Sequence, residues 1–194
     1  MTGSSAIPYK KRDGMKTLRN FLSLNLSLFF FAGCLPVYTA GEVPFIPTPP
    51  EVVDRMLEIA EVKKGDVVYD VGSGDGRIVI RAAKKYGVRA VGIEIDSELV
   101  ERSRAQARTE GVDHLAEFRR QDAFAADLTE ATVVTLYMMP EFNAKLRPIL
   151  DRQLRSGARV VTHDFGVEGW TATRMERLKG DFFHAHTLYL YLWK

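Results

Sequence analysis

Val-Val-Tyr-Asp-Val-Gly-Ser-Gly-Asp-Gly-Arg, residues 67–77, is the stretch that decides the fold. Val67, Val68 and Val71, with Tyr69 among them, form the short β-branched apolar run expected of a strand buried on both faces. Gly72, Gly74 and Gly76 follow at alternate positions. A residue without a Cβ reaches positive φ and lets another molecule come close to the backbone. The next segment, Arg77-Ile-Val-Ile-Arg-Ala-Ala-Lys-Lys-Tyr86, carries Ile78, Ala82 and Ala83 at near-helical spacing. Strand, glycine turn and helix together make the nucleotide-binding opening of a Rossmann-like βαβ unit.

The details of the turn narrow the ligand. A dinucleotide site wants G-x-G-x-x-G, but here the third glycine arrives one residue early and Arg77 takes its place. Asp70 sits two residues before the first glycine, and a carboxylate there suits a cation better than a pyrophosphate seeking bare N–H groups. Asp70-x-Gly72-x-Gly74-x-Gly76 resembles the first motif of class I S-adenosylmethionine-dependent methyltransferases, whose donor has no phosphate and carries a sulfonium and an amine. On that resemblance Asp70, Gly72, Ser73, Gly74 and Gly76 are expected to hold S-adenosyl-L-methionine.

Outward from this unit, the chain alternates strand and helix. Gly41–Pro50 holds four prolines and reads as a stiff lead-in, in which Thr48 is either part of a loop over the cofactor or a turn residue. Glu51–Val62 has helical periodicity, and Val88–Ile95 reads as the second strand. Glu94, 22 residues after Gly72, is placed either to accept from ribose hydroxyls or as a solvated strand end. Asp96 is better read as the cap of a helix over Glu98–Glu110. After a third strand, Leu115–Arg120, Asp122 is placed to accept from the adenine amine, with Ala123 and Phe124 along the ring, or else to start a turn. Ala131–Tyr137 is a strongly apolar fourth strand, and Met138-Met-Pro-Glu141 lies at its carboxyl end, where open α/β sheets bind their ligands. Glu141–Leu154 reads as a helix that Pro148 is placed to kink or shorten. Arg159–Thr162 is a strand with His163-Asp-Phe165 at its mouth, and Thr187–Trp193 alternates leucine with aromatic residues as a terminal antiparallel strand should. The predicted class is α/β: a mostly parallel seven-stranded sheet ending in an antiparallel hairpin.

At 194 residues, with 46% hydrophobic and 27% charged residues, the chain has ordinary globular composition. One cysteine, Cys34, excludes a disulfide framework, and the four histidines show no compact ligand spacing beyond His184-x-His186; no metal is predicted. Residues 1–41 differ from the methyltransferase-like part, 42–194. Lys10, Lys11, Arg12, Lys16 and Arg19 precede the apolar run Phe21–Val37, so residues 16–38 read as a secretory signal or membrane anchor. Met15 is an alternative start, and Phe31-Ala-Gly-Cys34 loosely matches a lipoprotein cleavage box. Residues 1–41 hold 5 of the 27 Lys+Arg and 1 of the 25 Asp+Glu, which leaves 22 against 24 and a formal charge of −2 for the rest. That balance opposes nucleic-acid binding. Basic residues before the span favour a translocated domain, yet the donor is made inside cells, so the domain is expected on the donor side of a membrane. Nothing in the sequence bears on oligomeric state.

Pro47-Thr-Pro49, Tyr69–Arg77, Gly92-Ile-Glu-Ile-Asp96, Leu136-Tyr-Met-Met-Pro-Glu141 and His163-Asp-Phe165 occur in one order. In this the chain resembles the ATP synthase c-subunit and adenine nucleotide translocase lysine N-methyltransferases over residues 43–193. It departs from their pattern after Trp170, where Thr171-Ala-Thr173 replaces an expected proline and acid. The resemblance implies methylation of a protein lysine, in a small membrane protein, with Thr48 binding substrate and Tyr137, Glu141 and Asp164 at the catalytic mouth. Tyr137 and Glu141 are equally readable as pocket wall and helix cap. Competing readings are a small-molecule methyltransferase and a non-catalytic, membrane-tethered donor-binding module. A base-modifying enzyme is disfavoured, because Leu136-Tyr-Met-Met-Pro140 replaces the Asn/Asp-Pro-Pro-Tyr/Phe element that grips an exocyclic amine.

Overall fold

Three valines and a tyrosine suit β1 (Val67–Val71) only to the middle of a sheet, and that is where it lies. The computed structural model describes residues 45–180 and 185–194, all within the unit Tyr38–Lys194. In chain order the elements are α1 (Pro50–Ile59), β1, α2 (Arg77–Tyr86), β2 (Arg89–Glu94), α3 (Ser97–Thr109), β3 (Ala116–Arg120), β4 (Val133–Leu136), α4 (Pro140–Gln153), β5 (Arg159–His163), β6 (Arg174–Leu178) and β7 (His186–Leu192). The seven strands lie in the order β3-β2-β1-β4-β5-β7-β6. The first five in sequence are parallel, and β7 runs antiparallel to both β5 and β6. The expected class is borne out.

Alternation along β1 separates two cores. Val68 joins Met56 and Leu57 of α1, Val79 of α2 and Val100 of α3 on one face. Tyr69 and Val71 join Leu146 and Leu150 of α4 on the other. Asp96 caps α3 as expected, accepting from Glu98 N (2.7 Å) and Leu99 N (3.2 Å). Pro148 neither ends nor shortens α4, which runs on to Gln153, because Leu146 and Leu150 are buried on its core face. In β7, Leu188 and Leu190 are buried as their spacing suggested, whereas Leu192 emerges at the strand end. No helix among the described residues is long and apolar enough to cross a membrane. The predicted anchor, residues 16–38, and the boundary at 41–42 lie outside the described residues.

At the amino ends of the strands, opposite the predicted cleft, buried Asp66 ties three segments together. It accepts from Lys63 N (2.8 Å) and Thr132 Oγ1 (2.7 Å) and pairs with Arg159, whose guanidinium also donates to the Ala60 carbonyl (2.9 Å). Burial pushes this carboxyl up, but the bonds from Thr132, Lys63 and Arg159 outweigh it and hold the group below its ordinary value. Its stabilising contribution is therefore present above about pH 4, the unfolded value, and is lost as pH falls through the lower folded one. Asp66→Ala leaves a largely buried guanidinium without its carboxylate. We expect it to lower the unfolding free energy by about 3 kcal/mol at pH 7, measured by denaturant midpoint, with the gap from the parent closing in acid.

Candidate active site

The carboxyl ends of β1, β2 and β4 open on a cleft of about 950 Å³. Its floor is the glycine turn. Gly72 N and Ser73 N both donate to the Ile93 carbonyl (2.9 and 3.0 Å), pinning the turn to the end of β2. Glu94 closes the other side: Oε2 accepts from Gly74 N (2.8 Å), and Oε1 accepts from Ile95 N (2.8 Å) and Asp96 N (3.0 Å). The Gly74 N–H, which a phosphate would need, is thus already bound to a carboxylate. Glu94 is more than a solvated strand end, since it shapes the turn and also lines the cleft.

Charge on the lining decides what fits. Asp70, Asp75, Glu94, Asp122 and Glu141 face the cleft against Arg77 and Lys145, and Arg77 is held by Asp75 (2.6 Å). Asp70 is only 3% exposed and accepts from Thr135 Oγ1 (2.7 Å). Burial, reinforced by the Glu94 and Asp75 charges, raises its pKa to about 7 in spite of the Thr135 bond. Such a group favours a cationic ligand, which restores its ionised form. Space agrees with charge. Both Gly72 and Gly74 have positive φ and line the cleft; a Cβ on Gly72 would lie 2.5 Å from Met138 Sδ, and one on Gly74 would meet the Phe45 ring. A cationic, phosphate-free ligand fits this cradle.

The predicted site residues divide. Asp70, Gly72, Ser73, Gly74, Glu94, Asp122, Ala123, Thr48, Tyr137 and Glu141 all line the cleft. Asp122 also does what a turn aspartate does, accepting from Phe124 N (2.9 Å) to start a short 3-10 turn. Thr48 is buried and belongs to the loop over the cleft, and its carbonyl accepts from Arg77 Nη1 (2.7 Å). Glu141 makes no side-chain capping bond, so its exposed carboxylate stays available at the start of α4. Two predicted residues stand outside the lining. Gly76 does not line the cleft: its Cβ position lies 2.5 Å from the Phe118 ring and 2.9 Å from Ser103 Cβ, so it is a glycine for helix packing. Asp164 also lies outside the lining, behind Tyr137, and burial together with Asp164 raises that phenol's pKa.

Some contributors were missed. Arg77 clamps the lead-in to the glycine turn by bonding the Thr48 carbonyl and Asp75; its place at the start of α2, where a dinucleotide site has its third glycine, was the available signal. His163 is fully buried and packs against Tyr137 at a tilt, with ring centroids 3.9 Å apart, and it meets Thr48 Oγ1 through Nδ1 (3.4 Å). Asn143 is buried and donates to the Phe165 carbonyl (3.1 Å), fixing the loop after β5 to α4.

The profile of the ANTKMT methyltransferase domain matches residues 70–174, from the Asp70 carboxylate to the first residue of β6. The chain belongs to that family. It is 43% identical over 151 residues to a protein-lysine N-methyltransferase of Saccharolobus islandicus, covering 77% of this chain and 93% of that protein. It is 36% identical to the human ATP synthase c-subunit lysine N-methyltransferase over 66% of this chain, which spans only about half (54%) of the human protein. Among solved structures, a protein of Salinibacter ruber described as an RNA methyltransferase in complex with S-adenosyl-L-homocysteine is 54% identical, with a TM-score of 0.72 over 76% of this chain and 93% of that one. By family and fold the chain is an S-adenosylmethionine-dependent methyltransferase, and its own cleft suits that cofactor in charge and shape.

Proposed function

We propose that this enzyme methylates the side-chain amine of a lysine in a protein, and specifically a lysine borne on an apolar segment of a small membrane protein. One observation carries the reading. Seven large hydrophobic side chains are exposed among the described residues, and five of them, Phe45, Ile46, Ile95, Phe124 and Met139, line this cleft, each between 39% and 66% exposed. Apolar surface gathered round a pocket with an acidic lining suits an amine presented by an apolar partner. The Saccharolobus and human relatives are named for protein-lysine methylation, which supports the acceptor class. The apolar run Phe21–Val37, in this proposal, keeps the domain beside membrane substrates on the donor side and raises their effective concentration.

When bound, the cofactor supplies a methyl group activated by a positive sulfonium. The chain's own residues position and desolvate. Asp70, Glu94 and Asp122 offset the donor's positive charge and engage its adenosyl part. Glu141 draws the lysine ammonium toward the mouth. Desolvation by Phe45, Met138 and Met139 favours the neutral amine, whose ordinary pKa of about 10.4 otherwise keeps it protonated. The Tyr137 hydroxyl, held by Asp164, aligns that nitrogen for in-line attack. We expect Tyr137→Phe and Glu141→Gln each to lower turnover by tenfold or more, with donor affinity changed less than about twofold.

An RNA acceptor is the second reading, favoured by the description of the Salinibacter protein. Five carboxylates against two cations in the lining argue the other way, since backbone phosphates would meet net negative charge. The deciding experiment incubates the purified protein and methyl-labelled donor with a membrane-protein fraction, total RNA and a metabolite fraction separately. Label mapped by mass spectrometry to a lysine supports the proposal; label confined to RNA or to a metabolite overturns it.

A further inference from the structure

We propose that His163, Asp164 and His186 form a binding site for a divalent transition metal, with zinc the best match, behind the acceptor mouth. The three lie outside the cleft lining and are not needed to hold the donor. Their candidate ligand atoms face one another. His163 Nε2 lies 2.9 Å from His186 Nδ1 and 3.3 Å from Asp164 Oδ2, and Asp164 Oδ2 lies 3.9 Å from His186 Nδ1. Zinc bonds to imidazole nitrogen and carboxylate oxygen are about 2.0–2.2 Å, so tetrahedral ligands stand roughly 3.4 Å apart, and the three edges straddle that value. A hydrogen bond between the two rings accounts for one edge. Asp164 Oδ2 is within ion-pair reach of both rings, so one carboxylate oxygen and two ring nitrogens converge on a common centre. Two imidazoles and one carboxylate are also the three-ligand set of zinc sites that keep an open position.

The surroundings hold these groups as the outer shell of a metal site does. His163 is fully buried, its Nδ1 directed to Thr48 Oγ1 and its ring packed on Tyr137. Asp164 has a φ of +58°, a left-handed conformation that aspartate adopts more readily than most non-glycine residues when its side chain is hydrogen-bonded locally. Thr187 keeps it there: Asp164 N donates to the Thr187 carbonyl (2.7 Å), and Thr187 N donates to Asp164 Oδ1 (2.9 Å). The ligands come from two antiparallel neighbours, with His163 opposite Leu188 and His186 two residues further along the same face. Sequence spacing predicted no metal because sheet register, not spacing, brings residues 23 apart into contact. A bound metal would staple the end of β5 to the start of β7 and fix the carboxylate that positions Tyr137.

The test uses the full chain, purified without a histidine tag and stripped of metal, titrated with cobalt(II) and followed by visible absorption, with zinc as competitor. The parent protein and the control His114→Gln should each take up about one cobalt per chain with the absorption of a low-coordinate site, displaced by zinc. His186→Gln and Asp164→Asn should bind at least tenfold more weakly while still binding S-adenosyl-L-homocysteine, which shows that they are folded. Should His186→Gln fail that folding check, Asp164→Asn, which keeps side-chain volume, gives the comparison. No uptake by the parent, or equal uptake by the variants, overturns the proposal and leaves the cluster a hydrogen-bonded network. Metal uptake is read without any acceptor, so this result stands apart from the lysine reading.

Discussion

Gly74→Val is expected to abolish detectable binding of S-adenosyl-L-homocysteine, a loss of at least 100-fold by calorimetry, while the protein remains folded. Two effects combine at this position. With φ at +53°, the turn places any side chain in the left-handed region, at a cost of roughly 1–2 kcal/mol and more for a β-branched residue. The new Cβ also points into the cleft, where it meets the Phe45 ring. Phe45 is a half-exposed side chain and can swing away, so the fold survives, but the added methyl groups then stand where the ligand must lie. Gly65→Val separates the two effects. Gly65 has a φ of +92° and nothing within 4 Å of its Cβ position, so it shares the strain without the obstruction. If Gly65→Val lost affinity as Gly74→Val does, or if Gly74→Val still bound ligand, the cradle would be misassigned.

The second large effect runs in two directions at once. Asp70→Asn should stabilise the ligand-free protein and weaken its hold on the donor. With a folded pKa of about 7 against about 3.9 when unfolded, the native state keeps a proton across that interval which the unfolded chain has released. Stability attributable to Asp70 therefore falls as pH rises from about 4 to about 7 and stays lost above it. Three units correspond to at most about 4 kcal/mol, or roughly 10 °C in melting temperature for a domain of this size. Asparagine keeps an acceptor for the Thr135 hydroxyl and avoids the buried charge. Scanning calorimetry at pH 8 should show the variant melting higher, with the gain gone near pH 4. Titration should show donor affinity down by about 100-fold at pH 8, and parent affinity rising between pH 6 and pH 8 as the carboxylate ionises. A variant that melted lower and bound equally well would contradict the account.

Much of this was legible in the sequence because the deciding signals are local. The β-branched run of β1, the alternate glycines, the Asp96 cap and the apolar fourth strand each state their own conformation. What depends on direction was harder to read. Spacing alone does not say that Gly76 turns its missing Cβ toward Phe118 while Gly74 turns its own toward the cleft. Pro148 was read by its local preference, and burial of Leu146 and Leu150 overrode that preference. The His163, Asp164 and His186 cluster was the least visible. It exists only once β7 pairs antiparallel with β5, and no window of sequence contains both strands.

The residues proposed for donor and for acceptor fall on different strands of the sheet. Asp70, Gly72, Gly74, Glu94 and Asp122 lie at the ends of β1, β2 and β3, whereas Tyr137, Glu141, Asp164 and His186 lie on or next to β4 (the central strand), β5 and β7. A lineage with this architecture is free to inherit its cofactor chemistry unaltered while it trades one recipient for another. Relatives described as modifying a lysine in one organism and RNA in another are what such an inheritance looks like from outside. A protein engineer seeking a new recipient should draw the library from Tyr137 onward, spare Met138, and leave Thr135 and the first three strands untouched.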